Sequence, residues 1–274
     1  MPKTKNIRVL INITPKPMLS DHKSIAIKAA QVAGNILKRG FFKGSSVEGK
    51  GLHDVVTATD RESENSIISE LKQHFPDHNI IAEESGSQMT GSEYTWYIDP
   101  LDGTSNFVTG NPYFSVSIAL CKNDEVILGV VLNPILDELY VAEKNMGAFM
   151  NDQPLQVSKQ AVMSEALLAS AYAMTESEIK LGLRTVEVLA LNVRKVVINF
   201  SPALDLCNIA RGRLDGLVDN GTTPEDHAAA SLILSEAGGV VQNYGTDTWD
   251  VSKVGIVASN GLLHQSLLGL VGKL

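Results

Sequence analysis

Cysteine is scarce in this sequence, and long apolar runs are missing from it. The chain holds two cysteines, Cys121 and Cys207, with no Cys-x-x-Cys pair and no histidine nearby at metal-ligand spacing. This scarcity excludes a disulfide framework and a zinc site, and it favours a reducing cytoplasm. No apolar run approaches the ~20 residues of a membrane-spanning helix. The N-terminal run is short, broken and followed by Pro15 and Pro17, so we expect neither a signal peptide nor a membrane partner.

Basic residues are also few compared with acidic residues. Lysine and arginine total 23 against 31 aspartates and glutamates, which gives a net charge of −8, and no basic run occurs. A protein that follows a phosphate backbone needs a basic stripe or patch. Nucleic acid is therefore not an expected partner.

Several motifs that mark common enzyme classes are missing. The chain has no Gly-x-x-x-x-Gly-Lys-Ser/Thr, no His-Glu-x-x-His and no Gly-x-Ser-x-Gly. This argues against a nucleotide-binding P-loop, a zincin and a serine hydrolase of the nucleophile-elbow type. Asp99 and Asp102 are three positions apart, whereas phosphatases of the haloacid dehalogenase type use a spacing of two. A phosphorylated aspartate is therefore disfavoured.

Hydrophobic patterning divides the chain into an N-terminal extension and two closely packed halves. The apolar content of 44% can form a sizeable core, and no long linker interrupts the pattern. After the extension over 1–19, the half over 20–156 predicts an amphipathic helix from Ser20, a second helix over 61–74, and then antiparallel strands. The half over 157–274 alternates helices and strands, as α/β layers do. A pocket is expected between the halves.

The segment WYIDPLDGTSNF carries the densest set of polar groups at the end of an apolar strand. The pattern predicts that the strand ends at Asp99, because Pro100 cannot continue a ladder. Gly103 permits a tight turn with outward backbone N–H groups, and a helix starting at Thr104 would add to them. Carboxylates such as Asp99 and Asp102 suit a hard cation such as Mg²⁺, while the amides suit a phosphate. A combined metal and phosphate site is the simplest interpretation.

Other carboxylates stand at the ends of further predicted elements. Asp60 lies near the start of a helix, Glu83 and Glu84 follow an apolar strand, and Asp226 opens an apolar helix. By itself Asp60 would more often be a helix N-cap than a catalytic group, and Asp226 could also cap its helix. One of the two adjacent glutamates should face away, and we favour Glu83 as the ligand. If these acids converge with the central aspartates, their repulsion requires several divalent cations.

Four motifs occur in order along the chain: DVVTATD over 54–60, EES over 83–85, WYIDPLDGTSNF over 96–107, and DHAAASLILSEAGG over 226–239. Together they resemble the motifs of the inositol monophosphatase family, a group of lithium-sensitive, metal-dependent sugar phosphatases. The resemblance covers nearly the whole chain after Ser20. It implies a layered αβαβα sandwich of mixed α+β and α/β character, two or three Mg²⁺ ions in each active site, and a homodimer.

The resemblance also implies a role for each site residue. The implied metal ligands are the side chains of Glu83, Asp99, Asp102 and Asp226, and the carbonyl of Leu101. The implied catalytic residues are Asp60, Glu83 and Thr104: Asp60 accepts a hydrogen bond from Thr104, whose hydroxyl orients the attacking water. The amides of Gly103 and Thr104 would hold the phosphate. The nucleophile would be water rather than a side chain.

Substrate contacts are where the sequence departs from the family. The loop over 199–203 stands where many members have a Gly-Ser or Gly-Thr pair, Asp219 stands where inositol-selective members have Glu, and Glu225 replaces an aromatic residue. These differences put inositol phosphate in doubt as the preferred substrate. The residues expected to contact the substrate are Asp102, Ser201, Pro202, Asp219 and Asp226.

We expect a cytoplasmic, homodimeric, Mg²⁺-dependent hydrolase of small phosphate monoesters, which would act on phosphorylated metabolites. One alternative keeps the chemistry but changes the substrate to fructose 1,6-bisphosphate, histidinol phosphate, a 3′-phosphoadenosine nucleotide or NADP. The other alternative is an inactive, metal-binding regulatory homologue, suggested by Glu225 and the altered loop.

Overall fold

The helices and strands follow the order that the patterning predicts. The computed structural model describes residues 19–43, 47–49, 55–172 and 175–272. Residues 1–18 of the predicted extension and Asp54 of the first motif lie outside these ranges. The helices are α1 (Leu19–Lys43), α2 (Ala58–His74), α3 (Thr104–Thr109), α4 (Glu176–Ala190), α5 (Pro202–Ala210), α6 (Pro224–Glu236) and α7 (His264–Val271). The strands are β1 (Val47–Gly49), β2 (Val55–Thr57), β3 (Asn79–Ala82), β4 (Gly86–Gln88), β5 (Tyr94–Asp102), β6 (Ser115–Lys122), β7 (Glu125–Asn133), β8 (Glu138–Glu143), β9 (Ala148–Met150), β10 (Gln153–Pro154), β11 (Leu167–Ala171), β12 (Lys195–Val197), β13 (Gly216–Asp219), β14 (Val240–Asn243) and β15 (Ile256–Ser259).

Two sheets and three helical layers form the αβαβα sandwich. One sheet has the strand order β10-β9-β8-β7-β6-β5-β3-β4, and the other has the order β12-β11-β13-β15-β14. Helices α1 and α2 cover the outer face of the first sheet, α5 and α6 lie between the sheets, and α4 and α7 cover the second sheet. The predicted fold class is therefore confirmed.

The eight-stranded sheet is antiparallel from β5 through β10, as the short connections predict, and β3 joins β5 in parallel. Its outer face packs on a stripe of small residues in α1, including Ala26, Ala30 and Ala33, all fully buried. On the inner face α6 approaches β7 so closely that a Cβ at Gly129 would lie 2.3 Å from the Ala229 carbonyl oxygen. Glycine is required at this contact.

Helix α6 belongs to the second half of the chain but packs on both sheets. Its central residues Ala228, Ala229 and Ala230 are fully buried in the same core cluster as Ala119 and Val131 of the first sheet. The two halves therefore share an extensive core, and the division at residue 156 stays a prediction. Within the described ranges, no helix combines the length and the apolar character that crossing a membrane requires.

Two element boundaries near the site differ from the sequence predictions. Strand β5 does not end at Asp99 but continues to Asp102, with a register shift between these two residues opposite β6. Pro100 is accommodated because a bulge removes the need for its missing N–H. Helix α2 begins at Ala58 rather than after Asp60, because Thr57 is the N-cap and Asp60 completes a capping box with it.

Candidate active site

The bulged end of β5 carries Asp99 and Asp102, and the turn into α3 places Gly103 directly after them. Asp99 and Asp102 are 2% and 3% exposed. Gly103, the N-cap of α3, has φ +92°, and a Cβ there would lie 3.0 Å from the Tyr113 carbonyl oxygen. Both the left-handed backbone and this close approach require glycine. The turn thus brings buried carboxylates next to the first amides of a short helix.

Asp99 has acidic side chains around it. Its Oδ1 accepts a hydrogen bond from the Leu101 amide at 2.8 Å. Burial raises the pKa of Asp99 well above its usual range, and the charges of Glu83, Asp102 and Asp226 raise it further. The four acidic side chains that the resemblance implies as ligands therefore lie close enough for three of their charges to act on Asp99.

Asp102 is held by hydroxyl groups from both halves of the chain. Its Oδ2 accepts hydrogen bonds from Ser115 Oγ at 3.1 Å and from Ser201 Oγ at 2.5 Å. Burial raises the pKa of Asp102 well above its usual range, Asp226 raises it further, and the two serines oppose these effects. Ser115 is a contact that the sequence analysis missed, and no local pattern around it signals this role.

Asp60 and Asp226 occupy equivalent positions in their helices. Each is the third helical residue after a threonine N-cap, and each Oδ2 accepts from the backbone N of that threonine, Thr57 at 3.0 Å and Thr223 at 2.7 Å. Burial raises the pKa of Asp60, and burial also raises the pKa of Asp226, to about 6. Neither aspartate is the N-cap itself. The Thr-x-x-Asp spacing was the sequence signal for this arrangement.

The Thr104 hydroxyl contacts both Asp60 of helix α2 and the turn that follows β5. Its Oγ1 lies 3.4 Å from Asp60 Oδ1 and 3.1 Å from the Leu101 carbonyl oxygen. Asp60 Oδ2 is held by Thr57, through the backbone N at 3.0 Å and through the side-chain hydroxyl. Asp60 therefore has one oxygen committed to its helix cap and the other directed to the Thr104 hydroxyl.

Glu83 and Glu84 serve different parts of the site. Glu83 is exposed, its backbone N donates to the Ile98 carbonyl at 3.1 Å, and its charge acts on Asp99. The charge of Glu84 acts on Asp60, and its backbone N donates to Glu64 Oε2 at 2.8 Å. Both acids thus exert their charge on carboxylates of the site, and the choice of Glu83 as the ligand stays a prediction.

The predicted substrate residues fall into two groups. Ser201 is fully buried against Asp102, and Pro202 begins α5 directly after it. Asp219 is 3% exposed, and its Oδ1 accepts from the backbone N of Gly221 at 2.8 Å and of Thr222 at 3.1 Å. Its charge still reaches Asp226. Asp219 Oδ1 thus stabilises the turn that follows β13.

The donor set fits a hard divalent cation. Among the described residues, the hydrogen bonds to Asp99 use only Oδ1, and those to Asp102 and Asp226 use only Oδ2. Each aspartate thus keeps a second oxygen for a ligand while its first is oriented by the protein. Within the ranges described, no three acidic, histidine or cysteine side chains already surround one point as metal ligands. Carboxylate and carbonyl oxygens are nevertheless the donors that a hard cation such as Mg²⁺ prefers.

Comparison with known proteins identifies the family of this chain. The inositol monophosphatase family matches residues 18–274. The chain belongs to this family. It is 38% identical over 251 residues to Inositol monophosphatase 3 of Solanum lycopersicum, covering 89% of this chain and 94% of that protein.

Two further family members show the range of relatives. A Fructose-1,6-bisphosphatase/inositol-1-monophosphatase of Aquifex aeolicus is 35% identical, with 93% of this chain and 97% of that protein covered. The solved structure of an inositol monophosphatase from Anabaena superimposes with a TM-score of 0.84 at 34% identity, covering 93% of this chain and 97% of that one. The predicted family and enzyme class, a phosphoric monoester hydrolase, are therefore confirmed.

Proposed function

We propose that this inositol monophosphatase family member hydrolyses small phosphate monoesters in the presence of Mg²⁺, with water as the nucleophile. The observation that carries the proposal is the convergence of Glu83, Asp99, Asp102 and Asp226, because the charges that act on Asp99 are all negative. Two of these carboxylates, Asp99 and Asp102, are buried, and a cluster of this kind ionises together only when cations neutralise it. A metal-dependent reaction at this cluster accounts for that need.

The groups that would hold Mg²⁺ are the acidic side chains of this cluster and one backbone carbonyl. We assign Glu83, Asp99 and the Leu101 carbonyl to one ion, and Asp99, Asp102 and Asp226 to a second. Glu83 would also serve a third ion where three are bound. Bound divalent ions would lower the pKa of a water molecule and neutralise charge on the leaving oxygen.

The chain's own groups then orient the reactants. Asp60 accepts from the Thr104 hydroxyl, which leaves that hydroxyl's lone pairs to accept a hydrogen bond from the attacking water. The amides of Gly103 and Thr104, at the start of α3, would donate to the phosphate oxygens. Ser115 and Ser201 hold Asp102 in place. Hydrolysis yields an alcohol and inorganic phosphate.

The alcohol part of the substrate would lie near the loop over 199–203, Asp219 and Glu225. Phe200 is 43% exposed there, whereas Asp219 is buried in its turn. Fructose 1,6-bisphosphate joins inositol phosphates as a candidate because a relative carries both names. Histidinol phosphate, a 3′-phosphoadenosine nucleotide and NADP complete the set to be compared. A small phosphorylated metabolite is the proposed partner, in a cytoplasmic homodimer without nucleic acid or membrane partners.

A regulatory protein that binds metal but lacks turnover is the second candidate. The observations behind it are Glu225, whose charge acts on Asp226, and the unusual loop at Phe200. Steady release of phosphate from any monoester at micromolar enzyme would eliminate this candidate.

A phosphate-release assay over the substrate panel tests the proposal. The chelated protein should be inactive, Mg²⁺ should restore turnover, and NaCl at equal ionic strength should not. Millimolar Li⁺ should inhibit the Mg²⁺-dependent rate. Full activity in excess chelator, or no turnover on any substrate with Mg²⁺ present, would refute the proposal.

A further inference from the structure

The loop that leads into α5 contains an unusual backbone conformation. Phe200 has φ +52°, in the left-handed region that costs free energy for any residue with a Cβ. Its ring packs edge-on against Tyr172, with 5.8 Å between the ring centroids. A contact between two half-exposed rings does not dictate the backbone conformation of Phe200. Other groups must hold it there.

A buried hydrogen-bond network holds the residues on both sides of Phe200. Asn199 Nδ2 donates to Asp205 Oδ1 at 2.7 Å, and the Asn199 carbonyl accepts from Asn106 Nδ2 at 2.6 Å. On the other side, the Ser201 carbonyl accepts from the Asp205 amide at 3.0 Å. Asp205 therefore contacts the residue before Phe200 and the residue after it.

Tyr113 fixes Asp205 in turn. The Tyr113 hydroxyl donates to Asp205 Oδ1 at 2.6 Å and accepts from Asn208 Nδ2 at 2.8 Å. Asp205 is 1% exposed, so water cannot replace these partners if they are removed. We call Tyr113, Asn199 and Asp205 the loop clamp.

The clamped loop touches the candidate active site at two points. Ser201 Oγ donates to Asp102 Oδ2 at 2.5 Å. The Phe200 carbonyl oxygen lies 3.3 Å from where a Cβ on Gly103 would be, next to the proposed phosphate amides. A change in the backbone of Phe200 would move both contacts, because they lie on adjacent residues.

We propose that Tyr113 and Asp205 are positioning residues for the phosphatase reaction, which hold Phe200 in its left-handed conformation through Asn199 and so keep Ser201 on Asp102. This proposal rests on the proposed phosphatase activity. A loop clamp and an ordinary buried hydrogen-bond network predict different effects of the residue at position 200. An ordinary network would stabilise the fold equally whatever residue stands at position 200, whereas the clamp is needed because that residue is not glycine.

The test is a set of mutant cycles that use glycine at position 200 as a rescue. Tyr113→Phe should lower kcat about tenfold, as expected for a lost hydrogen bond to a buried carboxylate, with a smaller change in KM. In the Phe200→Gly background the same substitution should change kcat by less than about twofold, because glycine adopts φ +52° without strain. In the Ser201→Ala background the effect of Tyr113→Phe should shrink likewise.

Tyr140→Phe is the matched control. It also removes a buried tyrosine hydroxyl that contacts a carboxylate, Glu138 Oε2 at 2.8 Å, but its other partner, Arg211, follows the far end of α5. Its kcat should stay within about twofold of wild type. If Tyr113→Phe fails to fold by circular dichroism, Asn199→Ala at the half-buried rim takes its place in the same cycles.

The outcomes separate the two proposals. No turnover by the wild type on any monoester would refute the phosphatase function. Turnover by the wild type, with an equal loss from Tyr113→Phe in all three backgrounds, would leave the function standing and overturn the clamp. An unchanged kcat in Tyr113→Phe and Asn199→Ala would also overturn it.

Discussion

Ser201 Oγ lies 2.5 Å from Asp102 Oδ2, although 99 residues separate the two along the chain. Asp102 comes from the first half and Ser201 from the second, and Asp226 of the second half adds its charge to the same cluster. The site therefore exists only when both halves are packed. Metal binding should consequently be coupled to the folding of the whole chain rather than of one half.

Replacing Asp99 should remove most of the activity. Asp99→Asn keeps the size of the side chain but removes the charge proposed to be shared by two ions, so kcat should fall at least about 100-fold with saturating Mg²⁺. The measurement is phosphate release with the substrate that the panel selects.

Asp124→Asn is the control for Asp99→Asn. Asp124 is exposed in a turn with φ +64°, a conformation that asparagine tolerates. This variant should keep wild-type turnover. Wild-type rates in Asp99→Asn would exclude the proposed metal site.

The Thr104 hydroxyl should matter more than its methyl group. Thr104→Val removes the hydroxyl, and with it the contacts to Asp60 Oδ1 and to the Leu101 carbonyl oxygen, so kcat should fall about 100-fold while KM changes little. Thr104→Ser retains the hydroxyl and should keep most of the rate. Equal kcat values for the valine and serine variants would contradict the proposed orientation of water.

A Cβ at Gly103 should be more harmful than one at Gly110. Both glycines have positive φ, +92° and +79°, so alanine at either should cost about 1 kcal/mol of unfolding free energy. A Cβ at Gly103 also meets the Tyr113 and Phe200 carbonyl oxygens at 3.0 and 3.3 Å, whereas at Gly110 no atom of the described residues lies within 4 Å. Gly103→Ala should therefore be less stable in urea and lose kcat/KM, while Gly110→Ala keeps it. Equal losses in both variants would show that the close approach is unimportant.

Mg²⁺ should stabilise the folded protein because it binds there and not to the unfolded chain. At about 100 times its Kd, the gain in unfolding free energy should be about 2.7 kcal/mol. Thermal unfolding of the chelated protein with added MgCl₂, compared with NaCl at equal ionic strength, measures this gain. Asp99→Asn should show a much smaller gain, and an equal gain in NaCl would point to a non-specific salt effect.

Asp205 should make stability fall as the pH rises. Burial raises its pKa from 3.8 to about 7, so the folded protein retains a proton that the unfolded chain releases between about pH 4 and 7. In this window the free energy of unfolding should decrease by up to about 1.4 kcal/mol per pH unit from this group, and then level off above it. Asp205→Asn should remove that slope in urea titrations of the chelated protein. Parallel slopes in the variant and the wild type would contradict the assignment.

Much of the fold could be predicted because it depends on patterns among residues that are close together in the sequence. The apolar spacing of α1, the short turns between β6 and β8, and the alternation after residue 156 are local patterns, and each corresponds to an observed element. The central aspartates, with Gly103 and Thr104, were likewise visible as a strand, a turn and a helix start. The errors were also local: the bulge after Asp99 and the threonine cap before Asp60 moved two boundaries.

The sequence by itself determined the family, the layered fold and the set of acids available to the site, since these depend on residue types at short spacings. Only the tertiary structure decided that Ser201 holds Asp102, that Glu83 and Glu84 act on different carboxylates, and that Tyr113 and Asp205 hold the loop at Phe200. These contacts join segments that lie far apart in the chain. Their distances follow from how α5 and α6 pack between the two sheets, and no local pattern encodes that packing.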